Sequence, residues 1–342
     1  MPEVFPYQPA TALPRVDTQA PTALLVLYRA HVLAGNTGVF DRLMQALAER
    51  GLQVRAWAVD SLKSCAAQSA LRAAVASQPV DIVLNTTAFA AGGGDGERDE
   101  TCPWWGDAPI LQLITAGSSR ERWAQDPHGL SPRDQAMHVV LPEVDGRIIT
   151  RAISFKGTGW RCERAEVDVA RYEAAFDRID FVAELARRWC RLRRQPPHRL
   201  RLAFILANYP CDDARIGHAV GLDTPASLLA ILDALREQGV DVGDLPADGQ
   251  RLMALLQQSV THSLEANPMR PAVQSLALQD YERSLSSLPA ALRAQVDALW
   301  GPPQCDPMVR QGRIMIPGLR LGRVFVGIQP PRGRDKIGRA HV

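Results

Sequence analysis

The chain has 342 residues, of which 46% are hydrophobic and 22% are charged, and its formal net charge is +2. This composition excludes a wholly disordered chain, and so weak a net charge argues against a nucleic-acid-binding protein. No apolar run approaches the roughly 18 residues that a membrane span requires, and the start of the chain lacks a secretory signal pattern. The length predicts two domains joined by a connector.

Six cysteines are spread along the chain, at positions 65, 102, 162, 190, 211 and 305. No two of them lie in a Cys-x-x-Cys spacing, so the sequence indicates neither a zinc knuckle nor a dithiol redox motif. Without a secretory signal, we expect reduced thiols and a cytoplasmic protein.

Both ends of the chain are expected to lie outside the folded domains. Residues 1–21 are rich in proline and show no hydrophobic periodicity, which is typical of a linker. Residues 337–342, with the sequence IGRAHV, resemble the translation of a common sequencing adapter, so we expect an artefact there. The chain is therefore interpreted as a truncated fragment of a longer protein.

Residues 22–160 are predicted to form a first α/β domain. Phe40, Leu43 and Leu47 recur at helical intervals before Gly51, which ends that helix. Four apolar runs have the composition of buried parallel strands. These runs occupy residues 22–31, 52–59, 80–89 and 109–117. Strands that alternate with helices predict a doubly wound parallel sheet of the Rossmann or flavodoxin-like kind.

The segment 138–155 is predicted to form a β-hairpin within this domain. Asp145 and Gly146 separate two apolar runs, and an Asp-Gly pair in this position is a strong turn signal. His138 and Glu143 precede the turn, and a carboxylate near an imidazole can accept protons or hold a divalent ion in transit. The hairpin alone explains the spacing, and it can also be the scaffold that presents Glu143.

Residues 161–198 are predicted to be a helical connector, because an amphipathic pattern covers residues 169–194 and two prolines follow it. Residues 199–336 are predicted to be a second α/β unit with a doubly wound parallel sheet. A strand at 200–210, a polar loop, a helix that stops at a glycine and a strand at 240–246 repeat the order of the first domain. A helical region and two short strands complete the unit.

Polar side chains follow several of these strands, and ligands in open α/β sheets bind beyond the carboxyl ends of the strands. In the first domain they are Tyr28, Arg29, His31, Asn36, Asn85, Thr86, Ser118, Ser119 and Arg120. In the second unit they are Asn208, Tyr209, Asp212, Asp213 and Arg215. Each residue alone is explained by an ordinary turn or cap. Their convergence at strand ends predicts a cleft, where a helix start and an arginine can hold a carboxylate or amide group.

The chain carries no nucleotide-binding signature of its own. It lacks the Gly-x-x-x-x-Gly-Lys-Ser/Thr sequence, so no P-loop is predicted. The glycine-rich run 90–96, AAGGGDG, lacks the spacing of a dinucleotide-binding turn and is not followed by a helix. We therefore expect a flexible loop there.

Four segments of the chain resemble the CobN-type large subunit of aerobic cobaltochelatase. They are YRAHVLAGNT (28–37), GLSPRDQAMHVVLPEVDGRIITRAISFK (129–156), NYPCDDARIGHAVGLDTPAS (208–227) and PGLRLGRVFVGIQPPRG (317–333). The resemblance keeps the same order from Leu24 to Gly333. It extends more distantly to the large subunit of magnesium chelatase, and chains of the family are several times longer.

The resemblance implies a subunit that binds hydrogenobyrinic acid a,c-diamide, a corrin precursor, and inserts cobalt(II), which is a substrate. It also implies two partner subunits, an AAA+ ATPase and an adaptor, that use ATP; the missing P-loop agrees with that division. Insertion requires the ring nitrogens to lose protons, which is the task of a base. The fragment alone is expected to be inactive.

The resemblance also implies roles for individual residues. His31 and Glu143 are expected to handle the metal or protons, with His138 and Asp145 in support. The residues expected to orient the ring and its acid and amide groups are Tyr28, Arg29, Asn36, Asn85, Ser118, Ser119, Arg120, Asn208, Tyr209 and Arg215. His218 stands where the family commonly has asparagine, so it is left out of the site.

Three other functions stay open. The first is the large subunit of magnesium chelatase, which inserts magnesium into protoporphyrin IX. The second is a sugar-nucleotide transferase, because paired α/β domains with a cleft suit one. The third is a small-molecule binding module of the periplasmic-receptor kind, which predicts an exported chain, and no export signal is seen.

Overall fold

The computed structural model describes residues 2–90, 105–209, 212–263 and 270–331. The chain divides into two compact units, Met1–Arg194 and Gln195–Val342. Within the described ranges, no helix is both long enough and apolar enough to cross a membrane. The glycine-rich run after Ala90 and the final segment 337–342 lie outside the described residues.

A seven-stranded sheet forms the centre of the first unit. Its strands are β1 (Val4–Tyr7), β2 (Thr22–Tyr28), β3 (Gln53–Val59), β4 (Ile82–Asn85), β5 (Ile110–Ala116), β6 (Ile148–Cys162) and β7 (Val167–Ala174). The sheet order is β1-β3-β2-β4-β5-β6-β7; β1 and β7 pair antiparallel at the edges, and the five strands between them are parallel. Numbered alone, the parallel strands have the order 2-1-3-4-5, which is flavodoxin-like. The predicted α/β class is therefore confirmed.

Helices flank the sheet of the first unit. They are α1 (Arg29–Leu33), α2 (Gly38–Glu49), α3 (Cys65–Ser77), α4 (Arg120–Gln125), α5 (Pro132–Gln135), α6 (Leu141–Val144) and α7 (Phe176–Arg193). A π-helical turn, Ala136–Val140, joins α5 to α6. Because side chains alternate along a strand, Leu24 and Val26 of β2 pack with α3, whereas Leu25 and Leu27 pack with α2 and α7. Strand β2 is thus buried on both faces, as its apolar run predicts.

The predicted linker 1–21 is wrong near its start, because Val4–Tyr7 forms strand β1. β1 pairs with β3 at one edge of the sheet. Pro6 is compatible with this place, since an edge strand leaves one side of its backbone unpaired. The Tyr7 hydroxyl donates a hydrogen bond of 2.6 Å to Asp41 of α2, which holds the strand in place. Burial and this contact raise the pKa of Tyr7 to about 12.

The predicted hairpin 138–155 is wrong, because its first half is helical. The helical path begins with α5, continues through the π-helical turn and ends with α6. Gly146 follows that end with a φ of 71°, so the Asp-Gly pair ends a helix and does not turn a hairpin. The second half belongs to β6, which pairs parallel with β5 and antiparallel with β7.

The predicted connector 161–198 is wrong in its first part, because Val167–Ala174 forms β7 and α7 begins only at Phe176. Helix α7 belongs to the core of the first unit. The side chains that it buries there are Ile179, Val182, Ala183, Ala186 and Cys190. The amphipathic pattern therefore records packing of α7 against the sheet.

The second unit contains two three-stranded sheets among its described residues. Its strands are β8 (Leu202–Leu206), β9 (Gln274–Ala277), β10 (Val309–Arg310), β11 (Arg313–Ile316), β12 (Gly318–Leu321) and β13 (Val324–Ile328). Its helices are α8 (Thr224–Glu237), α9 (Gly249–Gln258), α10 (Leu278–Ser286) and α11 (Ala290–Trp300). One sheet has the order β12-β13-β8, and the other has the order β10-β11-β9. Leu232 of α8 and Leu256 of α9 pack on the first of these sheets.

The second unit departs from the predicted doubly wound sheet. Among its described strands, the β8–β13 pair alone is parallel. The segment 240–246, predicted as a strand, forms none. Val240 and Val242 are buried as the pattern suggests, but Gly243 has a φ of 58° and turns the chain. The alternating apolar pattern at 240–246 therefore reflects burial in the core and not pairing in a sheet.

Gln112 is the centre of a buried polar network between β4 and β5. Its side-chain carbonyl accepts hydrogen bonds from Asn85 at 2.7 Å and from Arg147 at 3.0 Å. Its amide donates to the Thr87 carbonyl at 2.9 Å. The Arg147 guanidinium also donates to the Asp145 carboxylate at 2.6 Å, and these two side chains are only 2% and 7% exposed. Because buried polar groups need such partners, the network fixes the residues that follow β4.

We predict that Arg147→Met lowers the free energy of unfolding by about 3 kcal/mol. The substitution keeps much of the side-chain volume, but it leaves the Asp145 carboxylate buried without its cation and removes one donor from Gln112. Urea denaturation followed by tryptophan fluorescence measures the change.

Arg161→Met is the matched control, because Arg161 pairs with Asp168 where both side chains are more than half exposed. Exposed ion pairs contribute less than about 1 kcal/mol. An equal loss of stability in the two variants would show that the buried network does not stabilise the protein.

Candidate ligand-binding cleft

A cleft of about 650 Å³ opens at the carboxyl edge of the first unit's sheet. Its walls come from residues at or after the ends of β2, β3, β4 and β5 and from parts of β6 and β7. Strands β2 and β4 are neighbours at the point where the chain order reverses, which is where such sheets bind ligands. The volume lies in the range of about 300–1,000 Å³ that is usual for small-molecule sites.

The loop after β4 is fixed to the end of β2. The Tyr28 hydroxyl accepts a hydrogen bond of 3.0 Å from the Ala88 N–H and donates to the Ala88 carbonyl at 3.2 Å. Burial raises the pKa of Tyr28, so this hydroxyl stays protonated near pH 7. Phe89 follows with a φ of 65°, a left-handed conformation that is strained for a bulky residue. The loop thereby brings Phe89 to the wall of the cleft.

His31 lies in α1, directly after β2, and lines the cleft. Its ring centroid is 4.9 Å from that of Phe40 and 5.2 Å from that of Tyr172, the latter in an edge-to-face arrangement. Burial lowers the pKa of His31 from its usual 6.5, because apolar surroundings disfavour the charged ring. The imidazole is therefore mainly neutral near pH 7 and able to accept a proton or bind a metal ion.

His138 lies in the π-helical turn, an element that is often found at functional sites. It is only 8% exposed, and its Nδ1 has no hydrogen-bond partner among the described residues. Burial lowers the pKa of His138, while the Asp134 carboxylate raises it to a smaller extent. This ring is also mainly neutral near pH 7, and one of its nitrogens is available to a ligand.

Asp134 shapes the loop beside the cleft and does not offer a free carboxylate. The Gly117 N–H donates to its two oxygens at 3.1 and 3.2 Å, and the Ser131 hydroxyl donates to it at 2.9 Å. The same hydroxyl accepts a hydrogen bond of 3.1 Å from the Asp134 N–H and caps α5. These bonds tie the residues after β5 to the start of α5.

Three cations, Arg122, Arg133 and Lys156, also line the cleft. Their side chains are exposed, and none forms an ion pair within the part of the chain that the structure describes. The cleft thus combines two neutral imidazoles with three cations that make no ion pair. Such a combination favours an anionic ligand with polar groups.

The cleft brings together four residues that the sequence predicts for the site. They are Tyr28, His31, Ser118 and His138. Glu143 is exposed on α6 and does not line the cleft. Asp145 and Asn85 belong to the buried network around Gln112. No group of three His, Cys, Asp or Glu side chains suited to hold a metal ion occurs within the described ranges.

The other predicted residues of the first unit make structural contacts. Arg29 donates to a backbone carbonyl near the start of the chain at 3.2 Å, and Thr86 donates to a carbonyl of β2 at 2.9 Å. Asn36 accepts a hydrogen bond of 3.2 Å from a backbone N–H of β7. Ser119 caps α4, and Arg120 forms an ion pair of 3.6 Å with an aspartate of α7.

The predicted residues of the second unit follow β8. Asn208 is buried there, and its N–H donates to a glutamine side chain after β13 at 3.4 Å. Tyr209 and Arg215 are exposed. Asp213 forms an ion pair of 2.7 Å with Arg270. These contacts hold the loop after β8.

The cleft residues that sequence reasoning missed include Arg122, Arg133, Lys156 and Tyr172. Lys156 and Tyr172 are register partners on β6 and β7, so antiparallel pairing places them together. Local periodicity does not reveal that pairing, because it predicts a helical connector where β7 lies. The segment 129–156, which resembles the family, contains two of these residues, Arg133 and Lys156. Cations within that segment were the signal that could have identified them.

The fold and the cleft define a flavodoxin-like α/β unit with a cleft at its switch point. The family model described as CobN/Magnesium Chelatase matches residues 3–341. The chain therefore belongs to the CobN/magnesium chelatase family.

Three known proteins show how the chain relates to this family. It is 49% identical, over 93% of its length and 26% of the relative, to aerobic cobaltochelatase subunit CobN of Pseudomonas aeruginosa. It is 27% identical, over 93% of its length and 22% of the relative, to magnesium-chelatase subunit ChlH of Oryza sativa subsp. indica. A structure described as the catalytic subunit of cobaltochelatase from Mycobacterium tuberculosis matches 97% of this chain with a TM-score of 0.73 and 32% identity. That match covers 28% of the longer chain, so this chain spans about a quarter of its relatives' length.

We predict that His31 and His138 make the protein less stable as the pH falls below about 6.5. Burial lowers the pKa of both imidazoles, so the unfolded chain binds protons more readily than the folded chain in this range. Their stabilising contribution is fully present above the ordinary histidine pKa and is lost as the pH falls through the lowered values. Urea denaturation at about pH 7.5 and about pH 5.5 measures the difference, which is expected to be smaller in His31→Phe.

His128→Asn is the control for this measurement, because the His128 side chain is 83% exposed. Its stability is expected to change with pH as that of the unmodified protein does. If His31→Phe also keeps the full pH dependence, a neutral buried His31 does not contribute.

Proposed function

We propose that the chain is part of the tetrapyrrole-binding subunit of an ATP-dependent cobaltochelatase, a ligase that forms nitrogen–metal bonds. In this proposal the subunit inserts cobalt(II), as a substrate, into hydrogenobyrinic acid a,c-diamide. The observation that carries the proposal is the cleft of the first unit, where neutral imidazoles lie beside cations that make no ion pair with any residue that the structure describes. Family membership and 49% identity to a cobaltochelatase subunit support it.

The cleft residues suit one side of a corrin ring and its acid groups. Phe89, Met137 and Tyr172 offer apolar and aromatic surface for the edge of the ring. Arg122, Arg133 and Lys156 offset the negative charge of the carboxylates on the ring. His31 is placed to accept a proton that leaves the ring as the metal enters, because its imidazole is neutral near pH 7.

Cobalt is favoured over magnesium by the chemistry of the cleft. Imidazole nitrogen is a good ligand for transition metals, whereas Mg²⁺ prefers carboxylate, phosphate and water oxygens. Both histidines line the cleft, and Asp134 already accepts three hydrogen bonds there. The higher identity to the cobaltochelatase subunit, 49% against 27%, supports the same choice.

ATP use is assigned in this proposal to partner subunits of the AAA+ ATPase and adaptor kind. The sequence has no P-loop of its own, and the CobN and ChlH relatives are subunits of chelatases. The proposal also places the protein in the cytoplasm. In support, the four cysteines that the structure describes are free thiols.

We predict that the 342-residue chain binds hydrogenobyrinic acid a,c-diamide and that His31→Ala weakens this binding about tenfold, which corresponds to about 1.4 kcal/mol. The variant removes an imidazole that packs on Phe40 and Tyr172 and lines the cleft. Titration of the chain, followed by the absorbance of the ring, measures the dissociation constant. Protoporphyrin IX, titrated in parallel, is expected to bind more weakly.

Glu143→Ala is the control, because Glu143 is exposed outside the cleft. Its dissociation constant is expected to equal that of the unmodified chain. Failure of both rings to bind would overturn the proposed function. Tighter binding of protoporphyrin IX would favour the magnesium branch instead.

A further inference from the structure

Two buried polar atoms in the cleft lack hydrogen-bond partners among the described residues. They are the Ser118 hydroxyl oxygen and Nδ1 of His138. A buried polar group without a partner destabilises the folded state, and structures rarely keep one without a reason. Both residues line the same cleft, so a ligand that enters it can supply the missing partners.

Lys156 lies beside Ser118. Its backbone N–H donates a hydrogen bond of 3.0 Å to the Ser118 carbonyl, which joins the residues after β5 to β6. Lys156 and Ser118 line the same cleft as His138. One cavity is thus lined by residues that carry a hydroxyl, an imidazole and an ammonium group.

The carboxylates that line this cavity do not balance its cations. Asp134 accepts hydrogen bonds from Gly117 and Ser131, and Asp60 accepts one of 2.7 Å from the Ser61 N–H. Lys156 forms no ion pair within the described ranges. An ammonium group without a counterion, next to unused hydrogen-bonding atoms, favours a ligand that brings its own negative charge.

We propose that Ser118, His138 and Lys156 form a subsite for a carboxylate side chain of the ligand. The Ser118 hydroxyl and the Nδ1–H tautomer of His138 donate to the carboxylate oxygens, and Lys156 balances the charge. A carboxamide or ester in the same place accepts hydrogen bonds but leaves Lys156 without a counterion. The subsite therefore distinguishes acid groups on the ring from amidated ones. This inference rests on the proposed function, because the corrin precursor supplies the carboxylates.

The test compares hydrogenobyrinic acid a,c-diamide with the same ring after its carboxyl groups are converted to methyl esters. Both are titrated into the 342-residue chain at one fixed ionic strength. The acid is expected to bind at least about tenfold more tightly than the ester, as loss of a charge-assisted contact implies. Ser118→Ala and Lys156→Met are expected to remove most of this preference, because they weaken binding of the acid form and leave binding of the ester form unchanged.

Arg164→Met is the matched control, because it removes one positive charge from an exposed position outside the cleft. It is expected to keep the preference for the acid. His138→Phe keeps a ring of similar size and is expected to lose the preference, and circular dichroism checks that each variant is folded.

Three results would count against the subsite, and they differ in what else they affect. Equal binding of acid and ester, or an acid preference that survives in both Ser118→Ala and Lys156→Met, overturns the subsite and leaves the proposed function intact. Failure of both forms of the ring to bind overturns the subsite and the proposed function together.

Discussion

The buried amide of Gln112 is the interaction on which the cleft depends. β5 is buried along its whole length, so this amide must find its partners inside the protein. It finds them in Asn85 at the end of β4, in Thr87 just beyond it and in Arg147 before β6. Three neighbouring strands are thereby joined, and the Thr87 carbonyl is fixed just before Ala88, which bonds to the Tyr28 hydroxyl. This polar core therefore holds the loop after β4, which lines the cleft.

The residues that line the cleft differ in charge. Burial against aromatic rings keeps His31 neutral, and burial in the π-helical turn does the same for His138. The cations stay exposed at the same cavity and form no ion pair among the described residues. In the proposed function, this combination of neutral imidazoles and cations receives an acidic macrocycle that must lose ring protons as a metal ion enters. Membership of the CobN/magnesium chelatase family gives this chemistry its context.

Part of the cleft could be predicted from the sequence, because hydrophobic periodicity shows where the strands of a parallel sheet end. Tyr28, His31 and Ser118 were found in this way, since each lies at or just after the end of an apolar run. The predictions that failed depend on contacts between residues that are distant in the sequence. An Asp-Gly pair such as Asp145 and Gly146 occurs both at helix ends and at hairpin turns. Only the strand with which β6 pairs distinguishes the two. Tyr172 reaches the cleft because β7 pairs with β6, and no local pattern encodes that pairing.

The most direct test of the central claim is a structure of the chain with hydrogenobyrinic acid a,c-diamide bound. The expected result places the ring in the cleft of the first unit, with one edge against His31 and Tyr172 and an acid group at Ser118 and Lys156. A ring bound only to the second unit, with the cleft empty, would contradict the claim that this switch point is the tetrapyrrole site.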